Sequence, residues 1–396
     1  MSAVEVDITK SHQHEFNGVN GLKEILGKAE PRTFPTTFVW LGDEQDGITE
    51  EGFLTWYDAR RDHPTRSEYR LYFKTTAVLG LASAGDPVFI AKRPDDSLMV
   101  ILVKAESTME NQLLWLFALP ELPVVGEAIC KEGSKFDIKQ IGEVAGKTDF
   151  AVRYILDELG IEPEEPETDF IDIMVTRFGG KFPGTRDFSA FARETLSDIS
   201  HSDDPDTALL SWLNQEEILF RRLERYIVAQ RLQIGFVNDG AADIDGFIAY
   251  SLSVQNRRKA RAGLSLENHL EEIFKTLKIR HARGVVTENK QKPDFIFPGQ
   301  KEYRNPDFPD SKLTMLGAKS TCKDRWRQVI GEAARIRTKH LLTLEPGISE
   351  NQTDEMKSRL LQLVLPKELH QTYRANQQAW LMNLTDFVKL VRQRQL

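Results

Sequence analysis

Residues 161–169 read Ile-Glu-Pro-Glu-Glu-Pro-Glu-Thr-Asp, and this stretch constrains the chain more than any other. Its two prolines fix φ and remove backbone donors, and its four glutamates repel one another. Such a segment holds neither a strand nor a core. Cut there, a chain of 396 residues falls into two parts of domain size. The expected organisation is an α+β N-terminal domain over 1–160, a linker over 161–170 and a second domain over 171–396.

The two parts differ in charge. Residues 1–164 carry 17 Lys+Arg against 28 Asp+Glu, whereas 257–340 carries 20 basic against 10 acidic residues. A local basic excess inside a chain of net charge −8 is the footprint of a polyanion partner, most often nucleic acid. The only two cysteines, Cys130 and Cys322, lie far apart, which excludes a disulfide scaffold or a Cys-rich zinc site. No apolar run reaches the length of a membrane span, and the acidic N-terminus lacks a signal pattern. The expectation is a cytoplasmic protein with no membrane partner.

In the first part, Thr36–Leu41 and Tyr69–Phe73 read as strands, and Pro87–Lys92 and Leu98–Lys104 as a hairpin about Arg93–Asp96. Ser107-Thr-Met-Glu110 matches a capping box that opens a helix over Asn111–Phe117. Lys139–Leu159 reads as helix. Beyond the linker, Ala208–Leu232 and Gly246–Val254 read as helices separated by a loop. Leu266, Leu270, Ile273, Phe274 and Leu277 define one apolar helix face, with Ser265 as N-cap. Phe295–Phe297, Leu313–Ala318, His340–Leu344 and Leu360–Leu365 read as strands, while Asp324–Arg337 and Gln371–Leu396 read as helix.

This arrangement makes a chemical constellation. Asp294 opens one strand and Lys319 ends another, so pairing of the two strands joins their heads. Glu332 lies thirteen residues after Lys319 on the expected helix, where Arg325, Gln328 and Glu332 share a face. Two carboxylates and a lysine at strand ends are what metal-assisted phosphodiester hydrolysis needs. The acids hold Mg²⁺ and the lysine orients water.

Three segments sharpen this reading: Ser253–Phe274, Lys292-Pro-Asp-Phe-Ile-Phe-Pro298, and Met315-Leu-Gly-Ala-Lys-Ser-Thr-Cys-Lys-Asp-Arg-Trp-Arg-Gln-Val-Ile-Gly-Glu332. Together they resemble the C-terminal catalytic domain of EcoRII-type restriction endonucleases. Weaker similarity runs from about Phe182 to about Tyr373, roughly half the chain. The resemblance implies an α/β restriction-endonuclease-like PD-(D/E)XK core, a mixed sheet flanked by helices, in which the second carboxylate has moved to the following helix. It implies Asp294 and Glu332 as Mg²⁺ ligands, Lys319 as the residue positioning water and Glu267 as an accessory carboxylate.

The resemblance also places sequence reading in Lys323, Asp324 and Arg325. Lys and Arg donate to guanine O6 and N7, and Asp accepts from cytosine N4, so the triplet suits adjacent G·C pairs. A CCNGG-like site is implied, of which CCWGG is one form. Arg257, Arg258, Lys259 and Arg261 form the densest basic run and are expected on phosphates. Relatives flip the central base into a pocket, but Ser211–Phe220 lacks the expected Arg-plus-aromatic spacing, so Trp212 reads as core. Cys322, His269 and Tyr303 read as packing residues. The implied partners are double-stranded DNA, a second copy of the chain and a cognate methyltransferase. No segment of 1–160 matches the family's N-terminal domain, and its acidity suggests a regulatory or autoinhibitory role. A catalytically silent DNA-binding sensor, or a defence nuclease reading modified DNA, is the competing expectation.

Overall fold

The computed structural model describes residues 1, 14–18, 20–27, 31–42, 48–117, 150–161, 170–196, 204–238, 241–322 and 325–396. Most of the expected linker, 162–169, and the segment 118–149 lie outside them. The chain divides into two compact units, one of Met1–Pro163 with Gly347–Ser349, the other of Glu164–Pro346 with Glu350–Leu396.

The first unit is built on a six-stranded sheet of β1 (Glu15–Asn17), β2 (Arg32–Leu41), β3 (Ile48–Asp58), β4 (Tyr69–Phe73), β5 (Val88–Lys92) and β6 (Leu98–Val103), in the order β1-β4-β3-β2-β6-β5. β2 and β6 are parallel and the other pairs antiparallel. Period-two alternation divides β6 between two cores. Leu98, Val100 and Leu102 pack with Phe34, Phe38 and Trp40, and with Leu22 and Leu26 of α1 (Asn20–Leu26). Met99, Ile101 and Val103 face the other way, onto Leu113 and Leu114 of α2 (Thr108–Leu116) and Ile155 of α3 (Phe150–Glu158). Ser107 caps α2 by accepting from the Glu110 N–H at 3.2 Å, while the Glu110 carboxylate accepts from the Glu106 N–H instead of closing the box on Ser107. β3 escapes the sequence pattern because its first half, Ile-Thr-Glu-Glu-Gly, is polar on both faces.

The second unit opens with α4 (Ile171–Phe178), α5 (Thr185–Glu194) and the long α6 (Pro205–Ile234). Phe188, Phe191, Leu219, Phe220 and Leu223 close a core among them. A small hairpin, β7 (Val237–Asn238) with β8 (Ala241–Ala242), leads to α7 (Ile244–Thr276). This one helix of 33 residues replaces the two segments expected from the pattern. Asp243, not Ser265, is its N-cap, accepting from the Gly246 N–H, and Ser265 is buried in mid-helix. Leu266, Leu270, Ile273 and Phe274 are completely buried, as their spacing requires.

The central sheet follows, with β9 (Ala282–Arg283), β10 (Phe295–Phe297), β11 (Thr314–Lys319), β12 (Lys339–Thr343) and β13 (Leu361–Val364) in the order β13-β12-β11-β10-β9. β11, β12 and β13 run parallel, and β10 is antiparallel to both neighbours. Helices α8 (Gln300–Arg304), α9 (Trp326–Ile330), α10 (Glu350–Ser358), α11 (Ala375–Gln378) and α12 (Leu384–Gln395) surround it, completing the expected mixed sheet flanked by helices. The tail is therefore two helices and not one, and the helix expected over Asp324–Arg337 shrinks to α9, capped at Gly331. Among the described residues, no helix is long and apolar enough to cross a membrane.

Candidate active site

Register brings the first two acting groups together. Phe295 pairs with Leu316, so Asp294, one residue before β10, lies against the C-terminal half of β11. Asp294 Oδ2 accepts from the Ala318 N–H at 2.7 Å and from Lys319 Nζ at 2.8 Å. Lys319 ends β11 on the same face as Gly317, two residues back. A Cβ at Gly317 would stand 3.0 Å from Val329 Cγ2, so the missing side chain lets α9 lie close against β11. That close approach carries the segment after α9 toward the Lys319 face.

Glu332 sits there, one residue beyond the Gly331 cap, in a loop and not on a helix. It shares no helix face with Arg325 and Gln328, because the helix has ended. The loop is anchored from behind. Ala333 takes φ +48°, and the buried Lys339 Nζ donates to the carbonyls of Ala333, at 2.6 Å, and Ile336. Glu332 is buried, and its Oε2 has no hydrogen-bond partner among the described residues. Burial and the nearby Asp294 carboxylate push its pKa up to about 7, against the pull of Lys319 and Lys339. Asp294, Lys319 and Glu332 therefore feel one another across one small volume.

Glu267, on the buried half of α7, joins the same field. Burial and Asp294 push it above the ordinary carboxylate range, while Arg283 and Lys319 pull it down. Arg283 of β9 holds it with an ion pair at 2.8 Å and also bonds Glu271 and Asn268, each at 2.9 Å. Neither Arg283 nor Lys339 stands out in the sequence. A lysine inside the apolar strand Lys-His-Leu-Leu-Thr was the one available signal for the second.

The donors suit a hard cation. Carboxylate oxygens are its preferred ligands, and a buried oxygen without a partner beside a second carboxylate has an electrostatic reason to take one. Among the described residues, no group of three or more His, Cys, Asp and Glu side chains that could hold a metal ion comes together.

The expected DNA-facing residues separate. Lys323 and Asp324 lie outside the described residues, as does the side chain of Lys259. Arg325 is exposed at the start of α9, where its N–H donates to the Cys322 carbonyl at 2.8 Å. Arg257 stacks over the Phe182 ring at 3.9 Å, and Arg258 bonds Glu224 at 2.7 Å. Arg261 departs from expectation. It is buried over the Phe220 ring, paired with Glu216 at 3.3 Å and with Glu217, so its charge serves the packing of α6 on α7 and not a phosphate. Residues 257 and 261 are i and i+4 on α7 and share a face, and 258 is half-buried beside them, so the three differ in depth of burial and not in direction.

Trp212 is core, 5.7 Å from the His269 ring. Burial pushes His269 below its usual range, and its Nε2 lies 2.9 Å from Glu216 Oε2. Cys322 is buried, and burial and Glu345 push its thiol pKa up. The Tyr303 hydroxyl donates to Glu288 at 2.6 Å.

Residues 220–388 match the family described as EcoRII C terminal. A stretch of 209 residues is 40% identical to the type II restriction enzyme EcoRII of Escherichia coli, covering 52% of this chain and 50% of that protein. The match thus spans half the length of that relative. Among solved structures, metal-depleted Ecl18kI in complex with uncleaved, modified DNA aligns with TM-score 0.46 and 18% identity over 57% of this chain and 83% of that one. A complex of the restriction endonuclease PspGI with substrate DNA aligns with TM-score 0.44 and 13% identity over 54% and 94%.

Proposed function

We propose, for a chain whose residues 220–388 match the family described as EcoRII C terminal, a Mg²⁺-dependent, sequence-specific endonuclease acting on double-stranded DNA. The observation that carries this reading is Glu332, a buried carboxylate with a partnerless oxygen, charge-coupled to an Asp294–Lys319 pair at 2.8 Å.

Asp294 and Glu332 would hold the ion. When bound, Mg²⁺ lowers the pKa of a water and offsets charge building on the attacked phosphate. Asp294 already spends one oxygen on Lys319 and the Ala318 N–H, which fixes its plane. Lys319 is restrained by that bond, and its remaining protons point a water at the phosphorus and meet the developing negative charge. Glu332 gains most from a cation, because positive charge nearby returns a carboxyl held near neutrality to its ionised form. Glu267 acts one step back, fixing Arg283 and adding negative potential.

Arg325, with Lys323 and Asp324, would read G·C pairs of a CCNGG-like site, and Arg257, Arg258 and Lys259 would lie along phosphates. A palindromic target calls for a two-fold homodimer. A methyltransferase modifying the same site would protect the host's own DNA in the cytoplasm. The acidic N-terminal unit would restrain cleavage, a role its charge opposition to the basic stretch supports.

Digestion of a sequenced plasmid tests the core of the proposal. Discrete fragments whose ends share one motif are expected with Mg²⁺, and none with chelator. Intact plasmid under both conditions, with binding retained, would favour a silent DNA-binding protein instead. Removing residues 1–160 should raise the cleavage rate, and an unchanged or lower rate in a folded truncation would remove the restraint from the proposal.

A further inference from the structure

One buried acid of the second unit has no part in the site proposed above. Glu345 is 3% exposed and lies two residues beyond β12, the strand that pairs Thr343 with Lys319. Its carboxylate accepts the backbone N–H of Cys322, which stands immediately before Lys323, Asp324 and Arg325. The Cys322 carbonyl in turn accepts from the Arg325 N–H at 2.8 Å. Cys322 is therefore held at its N–H by Glu345 and at its carbonyl by Arg325, while its side chain is buried. Glu345 is itself fixed. Its N–H donates to Thr343 Oγ1 at 3.3 Å, and its carbonyl accepts from the buried Tyr373 hydroxyl at 2.5 Å.

A carboxylate is a costly way to satisfy one N–H, because burying an ion costs much more than burying a neutral carbonyl. What the charge adds is stiffness. A charge-assisted hydrogen bond is shorter than a neutral one and about twice as strong. Stiffness matters here because only two residues, Ser320 and Thr321, separate Lys319 from Cys322. The bond fixes where the chain runs after β11, and with it the start of the segment that ends at Arg325. Reading a base edge tolerates little displacement, so the groups that read it need such support.

We infer that Glu345 is a positioning residue for base reading, whose carboxylate clamps the Cys322 peptide and so sets the chain from which Lys323, Asp324 and Arg325 reach G·C edges. The inference rests on the DNA-reading role given to that triplet and not on hydrolysis. Its test therefore reads binding and not cleavage, so the two can fail separately.

The full-length chain, in chelator, is mixed with a random pool of duplexes, and the bound DNA is sequenced to find the preferred site. Affinities are then measured for that site and for a scrambled duplex. Glu345→Ala should lower the ratio of the two by about tenfold or more, the worth of one misplaced bidentate contact. The loss should fall on the preferred site alone, since phosphate contacts set the affinity for the scrambled one. Glu345→Gln keeps an acceptor oxygen and should recover part of the ratio. An unchanged ratio in both variants, an equal loss on both duplexes, or a wild type with no preferred site would overturn the inference. Should Glu345→Ala misfold, Tyr373→Phe, which releases the Glu345 carbonyl, should lower the ratio in the same direction. The chain has only two cysteines, so ¹⁵N-cysteine labelling reads the bond itself, with Cys130→Ser to assign the signals. The Cys322 amide proton should move upfield in Glu345→Gln, and an unmoved signal would remove the clamp.

Discussion

The two sheets solve the same burial problem with opposite treatments of charge. In the N-terminal unit, β6 is buried on both faces, and the one buried carboxylate among the described residues is Asp86. Both Asp86 oxygens are occupied, by the N–H groups of Ser83 at 2.7 Å and Ala105 at 3.0 Å. In the C-terminal unit, buried Glu216, Arg261, His269, Glu332, Lys339, His340 and Glu345 surround the helices and strands. Glu216 and Glu332 each keep an oxygen with no hydrogen-bond partner among the described residues; that of Glu216 lies 2.9 Å from His269 Nε2, and that of Glu332 has no such ion pair. Burying charge costs several kcal/mol per ion unless it is paired. A fold that carries so much of it is spending stability near the place where the chemistry is proposed. The N-terminal sheet shows that the same chain can build a core without doing so.

The largest effect should come from the strand-end lysine. Lys319→Ala should lower cleavage by about 10³-fold or more while leaving specific DNA binding in place. Retained cutting would remove the second unit's claim to a catalytic lysine. Next comes the buried pairing of α6 and α7. Arg261→Met leaves Glu216 buried without its cation, and should cost about 3–5 kcal/mol in denaturant unfolding. If stability holds and DNA affinity falls instead, Arg261 serves phosphate after all.

Acid should separate the units. Burial, aided by Arg394, pushes His340 of β12 down to about 4 from an ordinary 6.5. It is neutral in the fold, so the unfolded chain binds the extra proton between those values. The stability it permits is complete above about pH 6.5 and is lost as pH falls toward about 4, on the order of 3 kcal/mol in total. Glu332, pushed up to about 7, works in the opposite sense over the same window, so the His340 contribution is read as a difference between variants. Amide protection in β12 should fall more with acid in the wild type than in His340→Leu, while β6 should not distinguish the two; an equal difference in both strands would break the contrast. The smallest effect belongs to the N-terminal unit. Ser107→Ala removes the α2 cap and should lower stability by about 1 kcal/mol, with cleavage unchanged.

Much of this was legible in the chain. The strands around Asp294 and Lys319, the buried face of Leu266–Phe274 and the hairpin of β5 and β6 follow from periodicity, which depends only on neighbouring residues. The errors share one cause. Ser265 looked like a cap because local sequence does not report that the helix already runs through it from Ile244, so that the N–H groups of that turn bond carbonyls of the turn before. Arg261 looked like a phosphate contact because the four basic residues within 257–261 look alike until α6 packs over the last of them. The helix over Asp324–Arg337 was read too long because one glycine among helix-forming residues is a weak stop, and what ends α9 at Gly331 is the loop that Lys339 anchors from another strand.

The amino-acid order alone therefore determined which segments could pair, where the chain divides by charge, and which acids and which lysine stand at strand ends. Only the folded arrangement decided that Glu332 would leave its helix, lose water and face Asp294, and that Arg283 and Lys339 would stand behind the site. The reason is that periodicity is a property of neighbours along the chain. Desolvation and charge coupling are properties of neighbours in space, and these exist only once distant elements have packed.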